Sequence, residues 1–260
     1  MKIQFPVNNS RYFNTHYKYV LNIFKEFKDT ELSTYKCGYF IVMINGKKCL
    51  FDFSDYFTIA GYKSSDFHTV FKFHYSYKEK YAENIFPFPP ISFYNWKPRN
   101  MSYKLNNSFN ISMRQRSYGA AAIRRTKIRN MLIGTFGKNV KTRILDRDTY
   151  FLDVEDIGIA VFVPGAQENI LDRAQLQYMA LGAPTISPVI MEVLPFGRVV
   201  TPGVHYFSCK NDYSDLINGI KTATLFLKHI KKVGDEAKKL FTETCSPKNL
   251  QYWIEGVIRR

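Results

Sequence analysis

Hydrophobic and polar positions are arranged differently in the two halves of the chain. In the second half, short apolar runs alternate with helical stripes. NMLIG (130–134) reads as a buried strand and KNVKTRIL (138–145) as a helix. GIAVFVP (158–164) is a strand, followed by a helix over 169–181 whose Leu171, Ala174, Tyr178 and Leu181 share one face. APTISP (183–188) reads as a strand after a stop at Gly182, and GVHYFSC (203–209) as another. Residues 214–244 are helical with a bend expected near Gly234, and 247–260 form a last amphipathic helix after Pro247. Strands alternating with helices predict βαβ units and a parallel sheet. Continuous apolar strands such as IAVFV fit a sheet covered on both faces.

The first half reads as short strands and loops. LNIFKEFK (21–28) has helical spacing. YFIVMI (39–44) and KKCLFDF (47–53) flank Asn45-Gly46, a strong two-residue hairpin signal that pairs Val42 with Cys49. VFKFHYS (70–76) is a further strand. NIFPFPPISFYNWKP (84–98) carries four prolines and reads as an ordered surface loop, because proline cannot sit in a helix interior or a central strand.

Composition narrows the class. The chain has 260 residues, 45% of them hydrophobic and 16% aromatic, enough for one large or two small packed domains. No apolar run approaches the ~20 residues of a membrane helix. The N-terminal MKIQFPVNNSRYF lacks the apolar core of a signal peptide, so the expected compartment is the cytoplasm. Cys37, Cys49, Cys209 and Cys245 show no CxxC spacing, which argues against zinc; the hairpin register puts Cys37 out of reach of Cys49. A net charge of +15 favours anionic ligands, whether nucleic acid, a phosphorylated substrate or an anionic surface.

Candidate chemistry centres on PGAQENILDRAQLQYMALGAPTISP (164–188). A strand that ends in Pro-Gly and starts a helix presents backbone N–H groups at the carboxyl end of a sheet, where ligands bind in open α/β folds and anions are favoured. Arg173 falls in the first helical turn, where a cation opposes the helix dipole unless an anion sits beside it. The alternative is an ordinary surface arginine. The basic run RQRSYGAAAIRRTKIR (114–129) is either a solvated face or a phosphate contact. Asp146-Arg147-Asp148 spells a D-x-D metal motif, but a three-residue match is weak and reads as a loop.

Several phrases occur together in a fixed order: Arg173, Gln177, Met179-Ala180-Leu181-Gly182, Leu194-Pro195-Phe196, Gly203-Val204-His205-Tyr206 and Ser214-Asp215-Leu216. Over residues 128–222 this block resembles the donor-binding half of exostosin-like and CAP10-like GT-B glycosyltransferases, among them the exostosin-like xylosyltransferases of the chloroviruses. One departure is Gln177, where many relatives carry a glutamate that holds the nucleotide ribose. The resemblance implies an α/β, GT-B-like fold: two small Rossmann-like domains with the active site in the cleft between them. It divides the chain into an acceptor-binding domain (1–120), a nucleotide-sugar-binding domain (121–246) and a C-terminal helix (247–260) crossing back to the first.

The implied activity is metal-independent, inverting transfer of a sugar onto a glycan acceptor such as fucose. Xylose from UDP-xylose is the first donor implied, with no cofactor beyond the UDP-sugar and, for a viral protein, in the host cytoplasm. Phosphate donors would come from the Gly134-Thr135-Phe136-Gly137 turn (Gly134, Thr135, Gly137), Gly165, Arg173, and Arg124 and Arg125 upstream with Arg129. Gln167, Glu168, Asn169 and Gln177 suit ribose and sugar hydroxyls. The first half would supply a base for the acceptor hydroxyl. Asp52 and Asp55, in FDFSDY, are the candidates, with Asp52 expected on the Leu50 face, opposite Phe51 and Phe53; the alternative is that one of them caps the turn at 54–57. Asp66, His68 and His74 are lesser candidates. A nucleic-acid-binding protein is the alternative from charge alone, though no nucleic-acid motif is present and the βαβ half argues against it. A non-catalytic sugar-nucleotide-binding module is the other.

Overall fold

The structure is a computed structural model and describes residues 3–6, 27–30, 39–90, 109–144, 154, 157–165 and 167–260. The chain divides into two units: 1–97 with 192–199 and 243–260, and 98–191 with 200–242. The sequence-based boundary after residue 120 differs from this division by the segment 98–120. Strand β7 (Ile111–Ser112) in that segment is hydrogen-bonded within the second unit's sheet.

In the first unit, strands β1 (Ile3–Pro6), β2 (Phe27–Thr30), β3 (Tyr39–Ile44), β4 (Lys47–Asp52), β5 (Thr69–Lys72) and β6 (Ile85–Pro87) form one sheet in the order β2-β1-β3-β4-β5-β6. The hairpin β3–β4 turns at Asn45-Gly46, both at positive φ, with Val42 opposite Cys49 as the dipeptide predicts. From β4 to β6 the strands run parallel. Alternation sorts their side chains. Phe51, Phe53, Phe71, Phe73 and Phe88 form one aromatic cluster on one face, with Phe51–Phe71 stacked at 4.8 Å between centroids and Phe73 stacked on Phe88. Leu50, Val70 and Ile85 pack with Tyr39 and Tyr62 on the other.

Two readings of this half are corrected. Residues 84–90 are an edge strand and its buried continuation, not a surface loop; Ile85, Pro87, Phe88, Pro89 and Pro90 are buried. Proline is compatible with that place because an edge strand has one side free of ladder bonds. Residues 27 and 28, read as a helix end, begin strand β2 beside β1. Positions 21–26, 91–98 (including the Phe-Tyr-Asn-Trp of the proline-rich stretch), Cys37 and Asp146-Arg147-Asp148 lie outside the described residues.

The second unit is a five-stranded parallel sheet. Strands β7, β8 (Val140–Lys141), β9 (Ile159–Val161), β10 (Thr185–Pro188) and β13 (Phe207–Cys209) lie in the order β13-β10-β9-β7-β8. Helix α1 (Ala122–Phe136) follows β7, α2 (Arg173–Leu181) follows β9, and α3 (Leu216–Leu225) and α4 (Leu227–Cys245) follow β13. Both faces are covered, as the apolar runs predict. Ile159 and Val161 join Ile128, Leu132, Ile220 and Ile230 on one side. Ala160 and Phe162 meet Tyr178 and Leu181 on the other.

Here too the sequence reading needs correction. NMLIG is the second half of α1, not a strand: Arg125, Ile128 and Leu132 form its buried stripe, and the helix runs on to Gly137, whose φ of 56° closes it. Val140–Lys141, expected to be helical, is the edge strand β8 after a single 3-10 turn. Helix α2 begins at Arg173, capped by Asp172, four residues later than its apolar spacing suggested. The break in 214–244 falls at Phe226. Gly234 lies inside α4, where a Cβ would come within 2.1 Å of the Gly182 carbonyl oxygen; it is a point of close backbone approach.

The chain passes through β11 (Val193–Leu194) and β12 (Arg198–Val199), a small antiparallel pair in the first unit. It ends in α5 (Pro247–Ile258), also in the first unit, where the Trp253 indole donates to the Pro87 carbonyl at 3.0 Å. Among the described residues, no helix is long and apolar enough to cross a membrane.

Candidate functional site

The second unit's strand order decides where a ligand would sit. Counting its five strands along the chain, the sheet reads 2-1-3-4-5, so the chain leaves β7 in one direction and resumes on the other side at β9. The loops above that switch point part, leaving a crevice at the carboxyl ends of the strands. An open cleft of about 480 Å³ lies there. The 3-10 turn before helix α1 contributes Ala120, and α1 itself Ile123, Arg124 and Lys127 from its start; Gly165 and Glu168 come from the loop after β9, and Asn211, Asp212 and Tyr213 from the loop after β13.

A buried polar network fixes the cleft floor. Arg125 gives two hydrogen bonds to the Val163 carbonyl, at 3.0 and 2.9 Å, one to the Arg116 carbonyl and one to Asp172 at 3.3 Å. Gln115 donates to Asp172 at 2.8 Å and accepts from the Val163 amide at 2.6 Å. Asp172 in turn caps α2 by accepting from Ala174 N–H at 2.8 Å. Burial pushes the Asp172 carboxyl above its usual range, opposed by the Arg125 guanidinium and the Ala174 hydrogen bond. Arg129 ties the same loop through Ser117 and the Gln115 carbonyl, and Arg114 donates to the Arg143 carbonyl at 2.6 Å. The basic run 114–129 is thus largely an internal brace, which removes much of the support for a nucleic-acid face.

Arg124 sits at the surface of this network. It pairs with Glu168 at 2.8 Å and donates to the Pro164 and Gly165 carbonyls. Both charged groups are partly exposed, and both line the cleft. Lys127, one turn on and exposed, faces the same space. The rim carries backbone strain: Asn169 and Tyr213 have φ of 62° and 61°. Asn169 spans the rim, donating to the Val189 carbonyl at 2.7 Å and to Asn211. The backbone N–H of Ser214 holds exposed Asp212 below its usual carboxylate range.

The sequence candidates distribute unevenly. Gly165, Glu168 and Arg124 line the cleft, and Arg125 underlies it. Gln167, Asn169, Arg173 and Gln177 do not line it; Arg173 is half-buried beside Asp172 at the start of α2. Gly134, Thr135 and Gly137 stand at the far end of α1, about 10–15 Å along the helix beyond Lys127. That end carries the negative pole of the helix dipole, so the expected phosphate turn is corrected. Lys127, Asn211, Asp212 and Tyr213 were missed. The same strand-then-helix-start reasoning, applied to FSCKNDYSDL, points to the last three, and helical spacing from Arg124 points to Lys127.

In the first unit, Asp52 lies on the Leu50 face, as alternation predicts, and is buried. It is fully engaged: Lys72 Nζ at 3.0 Å, the Tyr62 hydroxyl at 2.8 Å and the Ser54 amide at 2.9 Å. The last bond is the turn-capping role that competed with catalysis in the sequence reading. Asp55 is 52% exposed, with its Oδ1 3.9 Å from His74 Nε2. The 74-to-192 contact was not foreseen: His74 Nδ1 meets Glu192 Oε1 at 2.7 Å, both groups wholly buried. His68 hydrogen-bonds Thr69, and Asp66 ends a 3-10 turn. Among the described residues no cluster of three or more His, Cys, Asp or Glu side chains is placed to hold a metal.

No family model and no curated protein matches the sequence. Solved structures do. The crystal structure of Anabaena Alr3699/HepE in complex with UDP and glucose matches with a TM-score of 0.52 at 13% identity, covering 75% of this chain and 64% of that one. TarM matches with a TM-score of 0.52 at 12% identity, over 76% of this chain and 44% of its own. Alr3699/HepE in complex with UDP-glucose matches with a TM-score of 0.50 at 15% identity, over 75% of this chain and 65% of that one. The fold is of the GT-B glycosyltransferase type. The chain spans less than two thirds of each of these structures.

Proposed function

We propose that the chain is a UDP-sugar-dependent glycosyltransferase whose donor diphosphate occupies the cleft over the β7–β9 switch point. The observation that carries this reading is the cleft itself: a helix start, Arg124 and Lys127 converge at the carboxyl edge of a parallel sheet. Helix N–H groups and cations there favour a diphosphate. The UDP and UDP-glucose complexes of Alr3699/HepE support the choice of nucleotide. Glu168, Asn211 and Asp212 offer acceptors for ribose or sugar hydroxyls, a chemistry that suits a sugar nucleotide better than a bare polyanion.

The finer reading follows from the family resemblance. The donor is UDP-xylose and the acceptor a glycan sugar such as fucose. The acceptor oxygen attacks the anomeric carbon as the bond to UDP breaks, inverting the centre, and the cleft's cations and helix start take up the charge on departing UDP without a metal.

Thermal denaturation with UDP and a panel of UDP-sugars, with and without EDTA, tests the reading. Binding to the folded state raises Tm, by linkage. The expected result is a UDP-dependent rise that survives chelation and turnover with at least one UDP-sugar. No rise with any uridine nucleotide sinks the proposal; a rise without turnover leaves a binding module.

A further inference from the structure

Three consecutive large apolar residues stand exposed where helices α3 and α4 of the second unit meet. Leu225 ends α3, Phe226 breaks the helix with φ −125° and ψ 60°, and Leu227 starts α4. Their exposures are 77%, 59% and 42%. Isolated apolar residues on a surface are ordinary, but three in a row at one corner form a patch. The core takes Ile220 and Ala223 from α3 and Ile230 from α4, and leaves the corner outside. Backbone hydrogen bonds order the bend. The Phe226 amide donates to the Ala223 carbonyl at 3.0 Å, and the Phe226 carbonyl accepts from the His229 amide at 2.9 Å and the Ile230 amide at 3.1 Å. Phe226 therefore carries both its backbone polar groups already paired, the condition for entering an apolar medium.

The charge along these helices has one sign. Residues 216–234 contain four lysines, Lys221, Lys228, Lys231 and Lys232, and no carboxylate. All four are exposed. Lys221 lies one turn before Leu225 on α3, and Lys231 one turn after Leu227 on α4. Each helix thus sets a lysine about 6 Å back from the apolar corner. The nearest carboxylate along the chain, Asp235, pairs with Lys231 at 2.6 Å, and both side chains are more than half exposed, so solvent screens the pair.

We propose that this corner docks the protein on an anionic lipid surface. Leu225, Phe226 and Leu227 enter the boundary between headgroups and acyl chains, and the lysines meet lipid phosphates. The depths agree: when an apolar tip is buried by about 5–10 Å, lysines one turn behind it sit at headgroup level. Burial of the tip and attraction of the lysines then act together. Two other occupants fit less well. Three side chains fall well short of the roughly 800 Å² that each partner gives to a stable protein interface. A second copy seated tip to tip would bring two sets of four lysines together, and like charges repel. This docking is independent of the glycosyltransferase reading.

Co-sedimentation of the full chain with vesicles of phosphatidylcholine alone, or of phosphatidylcholine with about one third phosphatidylserine, tests this. The expected result is binding to the anionic vesicles only, weakened by added salt. Leu225→Ser and Phe226→Ser together lower vesicle affinity by about tenfold or more, through lost apolar burial. Lys228→Gln and Lys232→Gln together lower it by about 25-fold, roughly fivefold per lysine. All four side chains are exposed, so Tm stays at the wild-type value. Phe226→Trp places an indole at the corner, and its emission shifts to the blue on anionic vesicles relative to the wild type. Binding that survives the paired serine variant, or an indole at 226 that does not shift, puts the lipid contact elsewhere on this +15 chain and overturns the assignment. Equal binding to neutral vesicles overturns the role of the lysines. No binding to either vesicle overturns the proposal, and a dimer in sedimentation equilibrium that the serine pair dissociates would make the corner a contact between copies instead.

Discussion

The two units organise charge at their sheet edges in opposite ways. In the second unit the more deeply buried member of the pair is a cation: Arg125 spends its guanidinium on the Val163 and Arg116 carbonyls and on Asp172. In the first unit the buried charges include carboxylates, Asp52 answered by Lys72 and Glu192 by His74. Each edge also exposes one charged group: Arg124 on the second unit, Asp55 on the first. Buried pairs hold the geometry of each edge, while the exposed groups beside them are in contact with solvent. A charge near a cleft is therefore no guide to function until its burial and partners are known.

The sharpest way to break this comparison is to remove the buried member. Arg125→Ala strands two backbone carbonyls and Asp172 in a closed space, and should cost about 3–5 kcal/mol of stability by urea denaturation. Lys72→Met leaves Asp52 unanswered in the first unit and should cost a similar amount, read the same way. If either loss is below about 1 kcal/mol, that pair does not anchor its edge. A smaller effect is expected from Lys127→Ala. This side chain is exposed, so stability should hold while UDP binding weakens by about tenfold, the scale of one charge-assisted hydrogen bond, measured by titration calorimetry. Unchanged affinity would place the diphosphate elsewhere.

How much of this was legible in the sequence depends on how local each feature is. The Asn45-Gly46 hairpin, the Gly182 stop, the Ala174, Tyr178 and Leu181 part of the α2 stripe and the last helix were readable because turn residues and periodicity are local signals. Gly182 adopts φ 78° as the helix cap, which its residue type announces. NMLIG was misread because five apolar-rich residues cannot by themselves distinguish a strand from the end of a helix. The arginines of 114–129 suggested phosphate, yet their partners are carbonyls at positions such as 143 and 163, far along the chain. Glu192 and His74 stand 118 positions apart, so no spacing rule could join them. The switch-point cleft needed the strand order, which exists only once β8 and β9 take opposite sides of β7.

The smallest expected effect concerns the partner of Arg124. Its bond to Glu168 is 2.8 Å long, but the side chains are 29% and 55% exposed, so solvent screens the pair. Glu168→Gln should therefore change stability by less than about 0.5 kcal/mol, in contrast to either buried pair. Its effect on ligand binding decides between two roles. If Glu168 serves mainly to hold Arg124 away from the cleft, the glutamine variant frees the guanidinium and UDP binds more tightly. If Glu168 accepts from a ribose hydroxyl, the loss of its charge weakens UDP and leaves inorganic diphosphate unaffected. Arg124 already leans on the Pro164 and Gly165 carbonyls as well as on Glu168, so removing one of three acceptors does not release it. The expected outcome is therefore the second: weaker UDP, unchanged diphosphate, both measured by calorimetry on the same variant.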